Sequence, residues 1–167
     1  MQIRIAGFGG QGVILAGLIL GEAAAIEGLN VIQTQDYSAQ SRGGASVADV
    51  VISDEPIYDV VVTKADVLVA LSQKAYEENK YTLKESGLLI VDTDLVKPDK
   101  PHTGAPFTSK AEEVGLKVNY NMIVLGYLVG YANVVKAESV EKAILRRVPR
   151  GTEEANLRAF KAGLKLV

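Results

Sequence analysis

The segment Gly7-Phe8-Gly9-Gly10-Gln11-Gly12 carries the spacing G-x-G-x-x-G. Glycines so placed admit dihedrals closed to other residues and let the backbone approach a ligand, while a helix opening behind them offers unpaired N–H groups to an anion. The setting gives the pattern meaning. Gln2-Ile3-Arg4-Ile5-Ala6 alternates polar and apolar as a strand does, and the apolar stretch from Val13 to Ile26 follows as a helix. Gly9, Gly10, Gln11 and Gly12 are therefore candidate binding residues for a phosphate-bearing group. A packing role, in which the glycines only let the first helix lie close to the sheet, fits the same residues. Asp36, beyond the next expected strand, resembles the ribose-binding acid of dinucleotide folds. Val13 and Ile14 stand where a nucleoside triphosphatase loop needs Lys and Ser or Thr, which argues against that chemistry.

A second polar, glycine-bearing stretch is Ser41-Arg42-Gly43-Gly44-Ala45-Ser46. Arg42 beside Gly43 and Gly44 can present a guanidinium to phosphate, to carboxylate or to a partner subunit. It can equally be a solvated residue of a turn. Asp92, Asp94 and Asp99 follow an apolar run and together could hold a hard cation, although Asp is also a routine turn and capping residue. The one histidine, His102, sits in Lys97-Pro98-Asp99-Lys100-Pro101-His102, a loop-like context ill suited to holding a general base rigidly. No catalytic residue and no metal set is assigned. Arg146, Arg147 and Arg150 read as a solvated basic helix end. Tyr120, Tyr127 and Tyr131 bracket an apolar helix with Gly126 and Gly130, suited to packing on a sheet or to a subunit interface.

The elements that must position these residues belong to one domain spanning residues 1–167. Hydrophobic types make up 48% and charged types 23%, enough for a real core, and the formal net charge of −2 does not favour nucleic acid or an anionic membrane. With no cysteine, a Cys-ligated zinc site, an iron–sulfur cluster, a thiolate nucleophile and a disulfide are all excluded within this chain. The apolar stretches at 13–26 and 122–135 fall short of a membrane span, and the N-terminus lacks a secretory pattern, so a cytoplasmic location is expected.

Strands are expected at Gln2–Ala6, Leu29–Thr34, Val47–Ile52, Val67–Leu71 and Gly87–Val91, with a further edge strand over Ile57–Val62. The continuous apolar runs Val67–Leu71 and Gly87–Val91 read as strands covered on both faces. Helices are expected at Val13–Ile26, from Ser72 through Asn79, and over Ser109–Val114, Met122–Ala132, Val140–Arg147 and Glu153–Lys165. Gly28 and Asn30 stop the first, while Ser139 and Thr152 cap the last two. Interleaved strands and helices imply an α/β three-layer sandwich with a Rossmann-like N-terminal βαβ unit.

Several spaced segments together resemble one family. Ile5-Ala-Gly-Phe-Gly-Gly-Gln-Gly-Val13, then Thr34-Gln-Asp-Tyr37 leading to Ser41-Arg-Gly-Gly-Ala-Ser46, Val50-Val-Ile-Ser53, Asn121-Met-Ile-Val-Leu-Gly126 and the closing 156–163 helix resemble the gamma subunit of 2-oxoacid:ferredoxin oxidoreductases, most of all the 2-oxoglutarate type. The resemblance implies a single gamma domain within a complex that oxidatively decarboxylates a 2-oxoacid to its acyl-coenzyme A and reduces ferredoxin. It further implies alpha, beta and delta partner subunits, with thiamine diphosphate and iron–sulfur clusters held by those other subunits. This chain would contribute to assembly and to the coenzyme A region and be inactive alone. An indolepyruvate oxidoreductase small subunit and a stand-alone dinucleotide-binding protein remain alternative readings.

Overall fold

The computed structural model describes residues 1–37, 45–58 and 60–167. Strands β1 (Gln2–Phe8), β2 (Asn30–Tyr37), β3 (Ala45–Ser53), β4 (Ala65–Ala70), β5 (Leu83–Asp92) and β6 (Thr103–Ala105) form one sheet. Helices α1 (Val13–Ile26), α2 (Gln73–Asn79), α3 (Phe107–Glu113), α4 (Tyr120–Ala132), α5 (Ala137–Arg147) and α6 (Glu153–Leu164) pack on it. Strand order is β2-β3-β1-β4-β5-β6, with β1, β4, β5 and β6 parallel and β3 antiparallel to both its neighbours.

The N-terminal β1-α1-β2 unit departs from the Rossmann-like expectation in one respect. β1 and β2 run the same way but are not neighbours, because β3 lies between them. The chain folds back after β2 into an antiparallel pair, Asn30 opposite Ser53 and Tyr37 opposite Ser46, and β3 then takes the place beside β1. The reversal falls within residues 38–44, outside the described residues.

Alternation along the strands builds two cores of unequal size. Ile3, Ile5, Val67, Val69 and Ile90 face a large core shared with α1, α4, α5 and α6. Leu68, Ala70, Leu89 and Val91 face the opposite side, where Tyr76 of α2 covers them. On the same thin side the 54–64 segment contributes Val62 over Val51 and Ala65. The described residues of that segment form no strand over the expected range Ile57–Val62; Val62 is buried while Val60 and Val61 are exposed.

Local signals explain the helix ends. α1 starts at Gly12 in the left-handed region (φ 71°) and ends at Gly28 (φ 81°), where Gly28 N–H donates to Ala25 O and Leu29 N–H to Ala24 O, a Schellman closure. Ser72 Oγ accepts from Ala75 N at 3.1 Å and caps α2 as expected. Ser139 is not the cap of α5. Lys136 holds that position, and Ser139 is buried within the first turn. Thr152 does precede α6, but its hydroxyl donates to Pro149 O. α4 and α6 meet backbone to backbone: a Cβ on Gly126 would lie 2.1 Å from Phe160 O, and one on Gly163 2.0 Å from Ile123 O.

Candidate functional site

The carboxyl ends of β1, β4, β5 and β6 all open on one edge of the sheet, and the glycine motif lies there. Its residues divide by role. Gly7 is forced by contact, since a Cβ there would lie 2.5 Å from Gln11 Oε1 and 2.9 Å from Val13 Cγ2. Gly12 is doubly required: its φ is positive, and a Cβ would lie 2.4 Å from Asn121 Nδ2. That Asn121 amide donates to Gly12 O at 3.2 Å and ties α4 to the start of α1. Gly9 and Gly10 are different. A Cβ on either meets nothing within 4 Å, and only Gly10 has a positive φ, 95°.

Gln11, read from the sequence as a binding residue, spends its side chain on the loop itself. Its Oε1 accepts from Phe8 N at 2.6 Å and its Nε2 donates to Leu71 O at 2.9 Å, so one amide clamps the ends of β1 and β4 together. The sequence carried no signal for this clamp beyond a glutamine inside a glycine run. Behind the loop, Ala16 N–H makes the first helical bond to Gly12 O, and no side chain among the described residues caps α1. A groove of about 360 Å³ lies beside this helix start, lined by Phe8, Gly9, Gly10, Gly12, Val13, Ile14, Leu15 and Ser46; the first-turn N–H groups have no partner within the helix.

Ser46 in that lining links the two sequence motifs. Phe8 pairs with Ala45 and Gly7 with Ser46, so the glycine loop leaves the sheet beside the first residues of β3. Arg42, Gly43 and Gly44 lie outside the described residues.

On the other flank of Gly10, Thr108, Ala111, Glu112, Lys117 and Tyr120 enclose a cleft of about 230 Å³. Beneath it lies Asp92, fully buried, whose carboxylate was read as a possible cation ligand. Its Oδ2 accepts from the hydroxyls of Thr108 and Tyr120, each at 2.7 Å, and its Oδ1 from Asp94 N at 3.0 Å. Burial, reinforced by the adjacent Asp92 carboxylate, pushes the Tyr120 phenol far above its ordinary value, so it stays a donor. Asp94 caps α3 through Ser109 N at 2.7 Å. Asp99 accepts from Tyr76 OH and from Lys80 Nζ. Asp92 and Asp94 thus both anchor α3 while Asp99 anchors the α2 end, and no group of three His, Cys, Asp or Glu able to bind a metal occurs among the described residues.

Other sequence features settle similarly. His102 is exposed, with Nδ1 3.0 Å from Lys100 O. Arg146 and Arg147 pair with Glu22 of α1. Tyr127 is buried, bonded to Thr103 Oγ1 at 2.6 Å, and stacks on the half-exposed Tyr131 at 5.6 Å between ring centroids. Asp36 lines a separate depression with Arg4, Asp49, Val60 and Val61 on the thin face of the sheet. Arg4 and Asp49 pair there at 2.7 Å.

Residues 2–166 match the family description pyruvate ferredoxin/flavodoxin oxidoreductase. The chain belongs to this family. It is 51% identical to the 2-oxoglutarate synthase subunit KorC of Methanocaldococcus jannaschii, over 99% of this chain and 92% of that protein. The corresponding subunit of Archaeoglobus fulgidus is 40% identical, over 99% and 87%. Among solved structures, the keto/oxoacid ferredoxin oxidoreductase gamma subunit of Geobacter sulfurreducens superposes with a TM-score of 0.86 at 40% identity, over 98% of this chain and 96% of that one. The 2-oxoglutarate:ferredoxin oxidoreductase of Magnetococcus marinus, described with 2-oxoglutarate, coenzyme A and succinyl-CoA bound, matches 99% of this chain but 30% of its own, with a TM-score of 0.88 at 28% identity. The chain is a subunit of a multisubunit oxidoreductase of the 2-oxoacid:ferredoxin class. That is the main reading of the sequence; the indolepyruvate and dinucleotide readings gain no support. Among the described residues no helix is long and apolar enough to cross a membrane.

Proposed function

We propose that the chain is the gamma subunit of a complex that oxidatively decarboxylates 2-oxoglutarate to succinyl-coenzyme A with reduction of ferredoxin. The observation that carries the substrate is the 51% identity, along nearly the whole chain, to a 2-oxoglutarate synthase subunit. Residues 1–167 form the gamma domain, and the alpha, beta and delta subunits of a cytoplasmic complex complete the enzyme. The redox chemistry belongs to those partners, because this chain has no cysteine to ligate a cluster. Thiamine diphosphate likewise belongs elsewhere.

The contribution of this chain is assembly and one wall of the coenzyme A region. Gly9, Gly10 and Gly12 aim main-chain N–H groups at an anion, either a coenzyme A phosphate or a partner's carboxylate, and Gln11 fixes their geometry. Arg42, Gly43 and Gly44 are further binding residues in this reading, the Arg42 guanidinium being chemically suited to the same anion. The positive end of α1, uncapped by any side chain among the described residues, favours the same charge.

Reconstitution of the four subunits, with ferredoxin reduction followed in 2-oxoglutarate, pyruvate and 2-oxoisovalerate, tests the substrate. Activity is expected with 2-oxoglutarate, to require this chain, and to require coenzyme A. A complex equally active without the chain, or one that prefers another oxoacid, would overturn the proposal.

A further inference from the structure

The two edges of the sheet are unlike. β6 has three residues, contains Gly104 and lies between Pro101 and Pro106, features that discourage a further strand. β2 has eight residues, Asn-Val-Ile-Gln-Thr-Gln-Asp-Tyr, with no proline, lysine or glycine, and no described strand pairs with its outer side.

The ladder shows which groups face outward. Met1 N donates to Ile52 O, and Ile52 N to Met1 O, so Ile52 bonds toward β1. Antiparallel ladders alternate, which turns Val47, Asp49 and Val51 toward β2. Their partners Asp36, Thr34 and Ile32 bond inward. The N–H and C=O groups of Val31, Gln33 and Gln35 therefore point out of the sheet.

The layer above this edge is also incomplete. α1 carries one charged residue, Glu22, and that carboxylate is taken by Arg146 and Arg147. Gly21 sits over β2, its Cβ position 3.3 Å from Val31 Cγ1. Next around the helix beyond Gly21, at spacings that share one stripe, come Ile14, Leu18 and Ala25. Ile14 and Leu18 are half-buried and Ala25 is exposed. A helix apolar on every side is normally covered on every side.

We propose that a second copy of this chain docks here, its β2 pairing antiparallel with this β2 about a two-fold axis at Gln33, so that the two α1 flanks cover each other. The sequence is self-complementary in that register. Gln33 meets Gln33 of the second copy, Val31 meets Gln35, Ile32 meets Thr34, and Asn30 meets Asp36, so no like charges stand opposed. Each of Val31, Gln33 and Gln35 exchanges main-chain hydrogen bonds with its counterpart. This inference is independent of the substrate assignment.

The absence of native cysteine makes the register directly testable on the full chain. The wild-type chain is expected to sediment at twice its 17.8 kDa mass. Gln33→Cys is expected to oxidise to a covalent dimer, since residues facing across such a pair have Cα atoms ~5.5 Å apart, within disulfide range. Gln35→Cys is the control: each copy would lie about 13 Å along the strand from its equivalent and stay unlinked. Gln33→Pro removes an outward N–H that the β2–β3 ladder does not use, and Leu18→Lys charges the helix flank. Both are expected to give folded monomers by circular dichroism and sedimentation. A monomeric wild-type chain would overturn the proposal. So would linkage of Gln35→Cys as readily as Gln33→Cys, or an unchanged dimer in folded Gln33→Pro and Leu18→Lys.

Discussion

Single alanines at Gly9, Gly10 and Gly12 separate the two uses of the glycine motif. At Gly9 the added methyl meets nothing within 4 Å and the φ is not in the left-handed range. Such a change reduces unfolded-chain entropy and alters stability by less than about 1 kcal/mol. At Gly10 there is space but φ is 95°, so the left-handed strain of about 1–2 kcal/mol applies. At Gly12 that strain adds to a Cβ placed 2.4 Å from Asn121 Nδ2, which must swing away and lose its bond to Gly12 O. The combined cost is about 3 kcal/mol. For a chain of this size ~1 kcal/mol moves the melting temperature by about 2–4 °C. The expected order is Gly9→Ala near wild type, Gly10→Ala lower by a few degrees, and Gly12→Ala lower by about 6–12 °C. Thermal denaturation of the chain measures this, and ferredoxin reduction by the assembled complex at varied coenzyme A measures the rest. Gly9→Ala should raise the KM for coenzyme A or weaken subunit co-elution despite its normal melting. A Gly9→Ala complex with wild-type assembly and kinetics would reduce the loop to a packing device. A large fall in its melting temperature would show the steric reasoning wrong.

Two further outcomes concern Tyr120, near the carboxyl edge, and Asp66, at the opposite, amino end of β4. Tyr120→Phe removes one of three donors to the buried Asp92 carboxylate, a hydrogen bond to a charged acceptor, and is expected to destabilise by about 2 kcal/mol in urea unfolding. Asp66 lies between Gln2 N and Lys84 Nζ; its partial burial would raise its pKa, but the Lys84 ammonium and the Gln2 amide outweigh that and hold it below the ordinary 3.8. A depressed carboxyl stabilises the fold above its unfolded pKa and loses that contribution as pH falls through the folded value. Stability profiles of wild type and Asp66→Asn should therefore converge on acidification below about pH 4 and differ most above pH 5, and parallel profiles would refute the assignment.

Elements governed by local chemistry were legible. The apolar run between Gly12 and Gly28 forms α1 over the expected residues, because both glycines adopt the conformations that end helices. β4 and the second half of β5 follow from uninterrupted apolar residues buried on both faces. The first half of β5, Lys84-Glu85-Ser86, is exposed and polar, so nothing in its pattern marks a strand. β6 escaped because three residues between prolines read as loop; its existence depends on Ile90, Val91 and Asp92 as partners. The insertion of β3 between β1 and β2 is likewise a choice of partner, which periodicity does not encode. Within the site, the glycine loop was legible and the clamp by Gln11 was not, since Phe8 N and Leu71 O come together only in the folded sheet.

The polar side chains along the carboxyl edge are nearly all committed. Gln11 joins β1 to β4, Asp92 gathers Thr108 and Tyr120, Asp94 caps α3, and Asn121 anchors the start of α1. Gly7 and Gly12 are equally committed, by contact. Among the described residues, what this edge leaves to another molecule is chiefly main chain: Gly9, Gly10 and the first turn of α1. Recognition by fixed amides needs no titrating side chain and suits a subunit that shapes a site whose reactive groups come from elsewhere. In the proposed reading such a loop forms a wall to which its partner, a coenzyme A phosphate or a partner's carboxylate, brings the charge.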